Sequence, residues 1–271
     1  MIRLRDGLRM RRIQFIEIHE QPWLPRFLRD EVTDALQYGV AFLNAYAPVW
    51  PLLQCALDSA GCRSIVDLCS GGGGPWLNLH ESFHRNAAAT PICLSDKFPN
   101  LAGFQNARNT GGNHITFRTD SIDAMRVPCE LTGFRTVFSS YHHFAPDQAR
   151  AVLQDAVDAG EGIGIFEVTR RAPWALALML PWSLLVFVTT AWMRPFRWSR
   201  LFWTYLVPAV PFVILFDGVV SCLRTYQPEE LREIIAKLQG REYRWQVGES
   251  SGGVPRMPIT YAIGYPAARN K

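Results

Sequence analysis

The sequence contains no CxxC pair. Its six cysteines are scattered. Cys55, Cys62 and Cys69 recur every seventh residue, but Cys69 belongs to a glycine turn and Cys62 precedes a strand. No cysteine-built metal site is read from them, and they are expected to be reduced thiols of a cytoplasmic protein. Charge is also scarce. Only 19% of the 271 residues are charged and the formal net charge is +4, too mild a balance to mark a nucleic-acid-binding surface. No apolar h-region follows the basic start MIRLRDGLRMRR, so it reads as a frayed tail or a membrane-attracted arm, not a secretory leader. There is no internal repeat and no low-complexity tract. With 48% hydrophobic residues, the chain has ample material for a core, which excludes general disorder.

Between Gln21 and Ala60 the apolar spacing is helical. Trp23, Leu24, Phe27 and Leu28 share a face that Val32, Leu36, Val40, Phe42 and Leu43 continue. Pro48 and Pro51 interrupt it, and PLLQCALDSAG reads as a further helix ending at Gly61. Short apolar runs then alternate with helical stretches. SIVDL, PICLSD, HITFRTD, RTVFSS and GIGIFEV read as five strands, with a helix from Pro146 to Ala159. Strands alternating with helices predict a mostly parallel sheet covered on both faces. QPEELREIIAKL is a further helix, and YRWQVGE and ITYAIGY are two closing strands. The predicted organisation is an N-terminal arm and helical cap over 1–60 and a catalytic domain over 61–271, interrupted by an apolar insertion over 172–224.

In IVDLCSGGGGPW, a buried strand reaches Asp67 and then runs into Gly71, Gly72, Gly73 and Gly74. Bare backbone at such a turn lets a ligand approach closely. Two nucleotide readings fail. Pro75 and Trp76 stand where a phosphate-cradling loop needs Lys-Ser or Lys-Thr, and four consecutive glycines are not the GxGxxG register. A nucleoside without a pyrophosphate fits better. Asp96, ending the second strand, suits the two hydroxyls of a ribose. Asp120, ending the third, suits an exocyclic amine.

Together, IVDLCSGGGG, ICLSDK, FRTD and FSSYHHF resemble the successive motifs of class I S-adenosylmethionine-dependent methyltransferases, over Ser64–Val168 and through the last two strands. The resemblance implies a Rossmann-like, seven-stranded sheet with a reversed last strand, and S-adenosyl-L-methionine as cofactor. It implies that Asp67, Gly71 and Gly73, with Cys69 in the turn, cradle the methionine part. Asp96 with Lys97 would hold the ribose, Asp120 with Ser121 the adenine, and Ser139 would stand beside the sulfonium. Cys69 departs from the pattern, because many members have glycine there. The same resemblance places His142, His143, Tyr141 and Glu167 at the methyl exit. A histidine titrating near neutrality can act as general base, Tyr141 can line the methyl path or pack, and Glu167 can orient a histidine or pair with Arg170 or Arg171.

From Ala172 to Met193 no residue is charged, nor from Leu201 to Phe216. The first run has the length of a membrane span and the second is short for one. The prolines, the short second arm and the central RPFRWSR favour a shallow hairpin dipping into one leaflet over two spans. A buried helical pair or dimer surface is the soluble alternative. Arg170, Arg171, Arg194, Arg197 and Arg200 are the candidates for lipid contact. Asp217, Ser221 and Arg224 follow at i, i+4 and i+7 and, with Trp23, are candidate substrate contacts or an anchor for the hairpin. The expectation is an enzyme that methylates a lipophilic small molecule or lipid at the cytoplasmic face of a membrane, with no nucleic-acid partner and no metal. A soluble cytoplasmic enzyme, a non-catalytic cofactor-binding assembly protein and a methylation-triggered cyclase are the alternatives.

Overall fold

A computed structural model of the chain describes residues 10–76, 90–194, 196–250 and 258–267. The basic start over 1–9, read above as a tail or arm, lies outside the described residues. Seven strands form one sheet in the order β3-β2-β1-β4-β5-β7-β6. They are β1 (Ile65–Leu68), β2 (Ile92–Leu94), β3 (Ile115–Phe117), β4 (Phe134–Phe138), β5 (Ile163–Glu167), β6 (Tyr243–Ser250) and β7 (Ile259–Pro266). The first five are mutually parallel, and β7 runs antiparallel between β5 and β6. The expected seven-stranded sheet with a reversed last strand is therefore present.

The helices are α1 (Arg26–Phe42), α2 (Trp50–Ala60), α3 (Leu101–Gly111), α4 (Pro146–Ala159), α5 (Pro173–Thr189), α6 (Trp198–Leu201), α7 (Ala209–Arg224) and α8 (Pro228–Ile235). Leu53, Ala56 and Leu57 of α2 and Phe104 and Ala107 of α3 bury one face of the sheet. Val152, Leu153 and Ala156 of α4 and Leu231 and Ile234 of α8 bury the other. The second helix of the predicted N-terminal cap is thus a sheet-covering helix. Of the two helices predicted for the cap, α1 lies off the sheet and packs with α5 and α7 through Leu28, Val32, Val186, Val213 and Ile214.

The apolar insertion folds as α5, a short turn carrying α6 and one π-turn (Phe202–Leu206), then α7. The segments Trp198–Leu206 and Ala209–Arg224 meet at 75°, where Pro208 breaks the backbone. Two of its arginines do not face outward as expected. Arg197 Nε and Arg200 Nη2 both donate to Asp34 Oδ2 of α1, at 2.9 and 2.5 Å, and Arg200 is only 1% exposed. A carboxylate buried in α1 must be paired, and these arginines pair it, so the turn of the hairpin is fastened to the cap. Arg170 pairs with Glu249 and Arg171 with Glu230, leaving Arg194 as the exposed arginine of the predicted set that carries no ion pair among the described residues.

Candidate active site

The carboxyl ends of β1 and β4 diverge at the point where the sheet order reverses direction, and ligands of open α/β sheets bind in the crevice there. A cavity of about 880 Å³ occupies this crevice. Its floor is the glycine turn. Ser70 accepts from the amides of Gly73 and Gly74 at 2.8 and 2.7 Å, and both glycines have positive φ. A Cβ on Gly72 would stand 2.9 Å from the Thr33 carbonyl of α1, and one on Gly74 would stand 2.8 Å from Asp67 Oδ2. The run of glycines therefore answers to close approach as well as to backbone angle. Cys69 takes the left-handed region itself, at φ 56°, where a side chain costs strain of the order of 1 kcal/mol.

Asp67 is buried and accepts from the hydroxyls of Ser70 and Thr136, each at 2.6 Å. Burial pushes its carboxyl up to about 6, against those hydrogen bonds. Its role in this structure is to pin the turn from below. Asp96 is half-buried, lines the cavity, and accepts from the amides of Gly71 and Phe98, both at 2.8 Å. Lys97 lines it as well. Ser139, also in the left-handed region, joins the hydroxyl of Tyr46 and accepts from the Val168 amide at 3.3 Å.

Several predicted residues fall elsewhere. β3 ends at Phe117, so Asp120 sits three residues beyond it; it is exposed and held by Arg118 through two 2.9 Å hydrogen bonds. Ser121 is exposed and donates to the Lys97 carbonyl at 2.7 Å. The cavity wall there is Ile122, Asp123, Ala124 and Met125. Gly73 and Trp23 are absent from the lining, and Trp23 is 67% exposed. Tyr141 is sealed in the core and donates to the Ala149 carbonyl at 2.8 Å, so it packs.

The histidines stand on a 3-10 turn directly after β4 and both line the cavity. His142 Nδ1 lies 2.8 Å from Glu167 Oε2, and the other oxygen of Glu167 accepts from the amides of Tyr141 and His142. Burial alone would raise the Glu167 carboxyl, but His142 and these donors hold it below its ordinary value. His143 Nδ1 lies 3.0 Å from Glu17 and 2.8 Å from Glu20. Burial opposes its charge, yet the two carboxylates outweigh burial and push it up to about 10.

Glu17, His19 and Glu20 had no signal in the sequence. They come from the segment preceding α1, which α7 holds in place. Asp217 accepts from the amides of Ile18 and His19 at 2.7 and 3.0 Å and lies 2.8 Å from His19 Nδ1. Ser221 donates to Glu17 at 3.0 Å, and Arg224 grips Glu20 at 2.9 Å and the carbonyls of His142 and His143. The polar stripe of α7 thus anchors the N-terminal segment over the histidine turn. Asp217 and Ser221 also line the cavity. The remaining wall is largely apolar, with Trp174, Leu178, Met179 and Trp182 of α5 beside Val32, Leu36 and Val40 of α1.

No family model and no curated protein matches the sequence. Among solved structures, LaPhzM is 12% identical at a TM-score of 0.51, over 88% of this chain and 57% of that one. A Rhodobacter sphaeroides protein described as a zinc-dependent alcohol dehydrogenase is 12% identical at a TM-score of 0.51, over 89% and 98%. Human N-acetylserotonin methyltransferase, solved with S-adenosylmethionine, is 13% identical at 0.49, over 95% and 63%. The chain spans less than two thirds of the length of LaPhzM and of the human enzyme. At such identities the likeness concerns fold alone. Sheet order, reversed β7 and the glycine turn after β1 together give the chain a Rossmann-like fold, which it shares with LaPhzM.

Proposed function

We propose that the protein transfers a methyl group from S-adenosylmethionine to a lipophilic small molecule or a lipid, working at a membrane surface. One observation carries this reading. A single cavity joins the glycine turn and Asp96 to an apolar wall on α5 and to the histidine turn. Its volume of about 880 Å³ lies at the upper end of the range for small-molecule sites and leaves room for a second molecule beside a nucleoside. The residues fit the cofactor. Gly71 and Gly72 offer bare backbone, and Asp96 keeps lone pairs for ribose hydroxyls while accepting two amides.

The cofactor supplies an electrophilic methyl on a sulfonium, and its transfer leaves S-adenosylhomocysteine and one proton from an O–H or N–H acceptor. The chain aligns the acceptor. The wall of α5 holds its apolar part, and His142 stands where its proton leaves, beside the ion-paired His143. Glu167 fixes the ring of His142.

The membrane part of the proposal rests on exposed apolar side chains. Among the described residues, Pro173–Trp192 is the one helix long and apolar enough by itself to cross a bilayer, and little of it is buried. Leu184, Val188, Trp192, Trp198, Leu206 and Phe212 are each more than half exposed. Clusters of exposed apolar side chains mark interaction surfaces. Because Arg197 and Arg200 fasten the turn to α1, a shallow face fits better than two spans. Arg194 beside Trp192 is the available basic anchor, worth roughly 1 kcal/mol near anionic lipid. Incubation with methyl-labelled cofactor and a lipid extract, followed by mass analysis, tests the proposal. A labelled lipophilic product supports it, and no labelled product under any lipid or small-molecule challenge contradicts it.

A further inference from the structure

We propose that Glu17, His142 and His143 form a site for a divalent first-row transition-metal ion at the acceptor end of the cavity. One ligand atom from each of the three lies within 4.8 Å of the others. His142 Nε2 is 3.7 Å from Glu17 Oε1, and His143 Nδ1 is 3.0 Å from Glu17 Oε2. Ligands at about 2.0–2.2 Å from a shared ion stand roughly 3–4 Å apart, so these separations need only small side-chain adjustments.

Three independent features point the same way. The first is that His142 Nε2 is buried without an aligned hydrogen bond, while Glu17 Oε2 and His143 Nδ1 have each other as ion-pair partners at 3.0 Å. Glu17 is 0% and His142 2% exposed, and buried polar atoms left in this state are rare without a reason. The second is the support behind the ligands. Glu167 holds His142 Nδ1 and so turns Nε2 toward Glu17. That carboxylate–histidine arrangement is what orients imidazoles on metals. The third is charge. Glu17, Glu20, Glu167 and Asp217 bring four carboxylates, and Arg224 opposes them with one guanidinium. With neutral histidines the cluster carries an excess of three negative charges. Either protons on the histidines or a cation must offset it.

Two imidazoles and a carboxylate suit zinc, iron or manganese better than magnesium or calcium. Glu20, 2.8 Å from His143 Nδ1, is placed as a fourth ligand that can yield. His142, His143 and Glu20 line the cavity, so an open position on the ion faces it. Resting on the methyl-transfer reading, the ion there would bind an oxygen or nitrogen of the acceptor and raise its acidity as a Lewis acid. The histidines would then serve as ligands and the acceptor's proton would pass to water. This deepens the proposed function by naming a metal-coordinating acceptor.

The test uses the full chain stripped with a chelator and titrated with Zn2+, and separately with Co2+, whose visible bands report coordination. Wild type is expected to take up one equivalent and to show a higher melting temperature with the metal. Glu17→Gln and His142→Ala should each weaken uptake about 100-fold or more, and Glu167→Gln, behind the ligand, about 10–100-fold. Should one variant fail to fold, the other and the wild-type cobalt spectrum still decide. Folded wild type that takes up no metal overturns the proposal, as does uptake that survives both ligand substitutions. S-adenosylhomocysteine binding, measured on the same samples, reports separately on the cofactor reading.

Discussion

His142 and Glu167 meet across the ends of two neighbouring parallel strands, Nδ1 to Oε2 at 2.8 Å, with both side chains almost wholly buried. β4 delivers the histidine and β5 the carboxylate, and their parallel register brings the two strand ends level. A pair so sealed has a fixed tautomer and ring orientation, with Nε2 left for other work. Replacing His142 with alanine should therefore lower turnover by about 10²–10⁴ while S-adenosylhomocysteine affinity stays within about twofold of wild type. Glu167→Gln should lower turnover less and change the shape of the pH–rate profile. Full turnover by both His142→Ala and His143→Ala across pH 6–8 would remove the histidine turn from the chemistry.

Asp67 predicts a pH signature in stability. Its folded pKa, about 6, is above the ordinary carboxyl value near 3.9. The folded state holds this proton more tightly than the unfolded chain does. Asp67 therefore favours folding most below about pH 4, and that contribution is lost as pH rises through 6. Against Asp67→Asn, which lacks the titration, wild type should lose up to about 3 kcal/mol between pH 4 and 8. Parallel urea-denaturation profiles for the two proteins across that range would contradict the assignment.

Arg200 should matter to stability and not to lipid binding. Its removal leaves the buried Asp34 carboxylate with Arg197 and the neutral Asn100 amide. Arg200→Ala should cost about 3 kcal/mol or more in chemical denaturation. A surface arginine would lose well under 1 kcal/mol, and that outcome would place Arg200 outside the core.

The exposed face of the insertion makes the opposite prediction. The triple change Leu184→Ser, Val188→Ser and Trp192→Ser removes apolar surface that is already more than half exposed in the folded chain. It should abolish co-sedimentation with anionic liposomes and leave cofactor affinity intact. Wild type that stays monomeric without detergent and ignores liposomes at low salt would make the insertion a lid over the cavity only.

Burial writes apolar runs into the sequence, so the strands, α4 and α8 are legible there; α2 reads as part of the cap, and α3 has no reading of its own. The helix over Pro146–Ala159 was read to the residue, and Gly61 ends α2 in the left-handed region as its position implied. The place of Asp96 in the cavity wall follows from its turn just after a strand. Asp120 has no such place, because β3 stops at Phe117 and Arg118 draws the carboxylate outward. Glu17, His19 and Glu20 lie some 125 residues from the histidines they meet, in a segment without periodicity. The tertiary hold of Asp217, Ser221 and Arg224, with Arg29, brings them together. Arg197 and Arg200 looked like lipid anchors because their partner, Asp34, sits on a distant helix.

Calorimetric titration of the folded protein with S-adenosylhomocysteine tests the account most directly. One equivalent should bind, and Asp96→Ala should weaken that binding by about 1.5–3 kcal/mol, the range for hydrogen bonds to a charged group. Binding should persist in the liposome-blind variant and in His142→Ala. Absence of binding by folded wild type would contradict the reading of the glycine turn and Asp96 as a cofactor site, and with it the proposed methyl transfer.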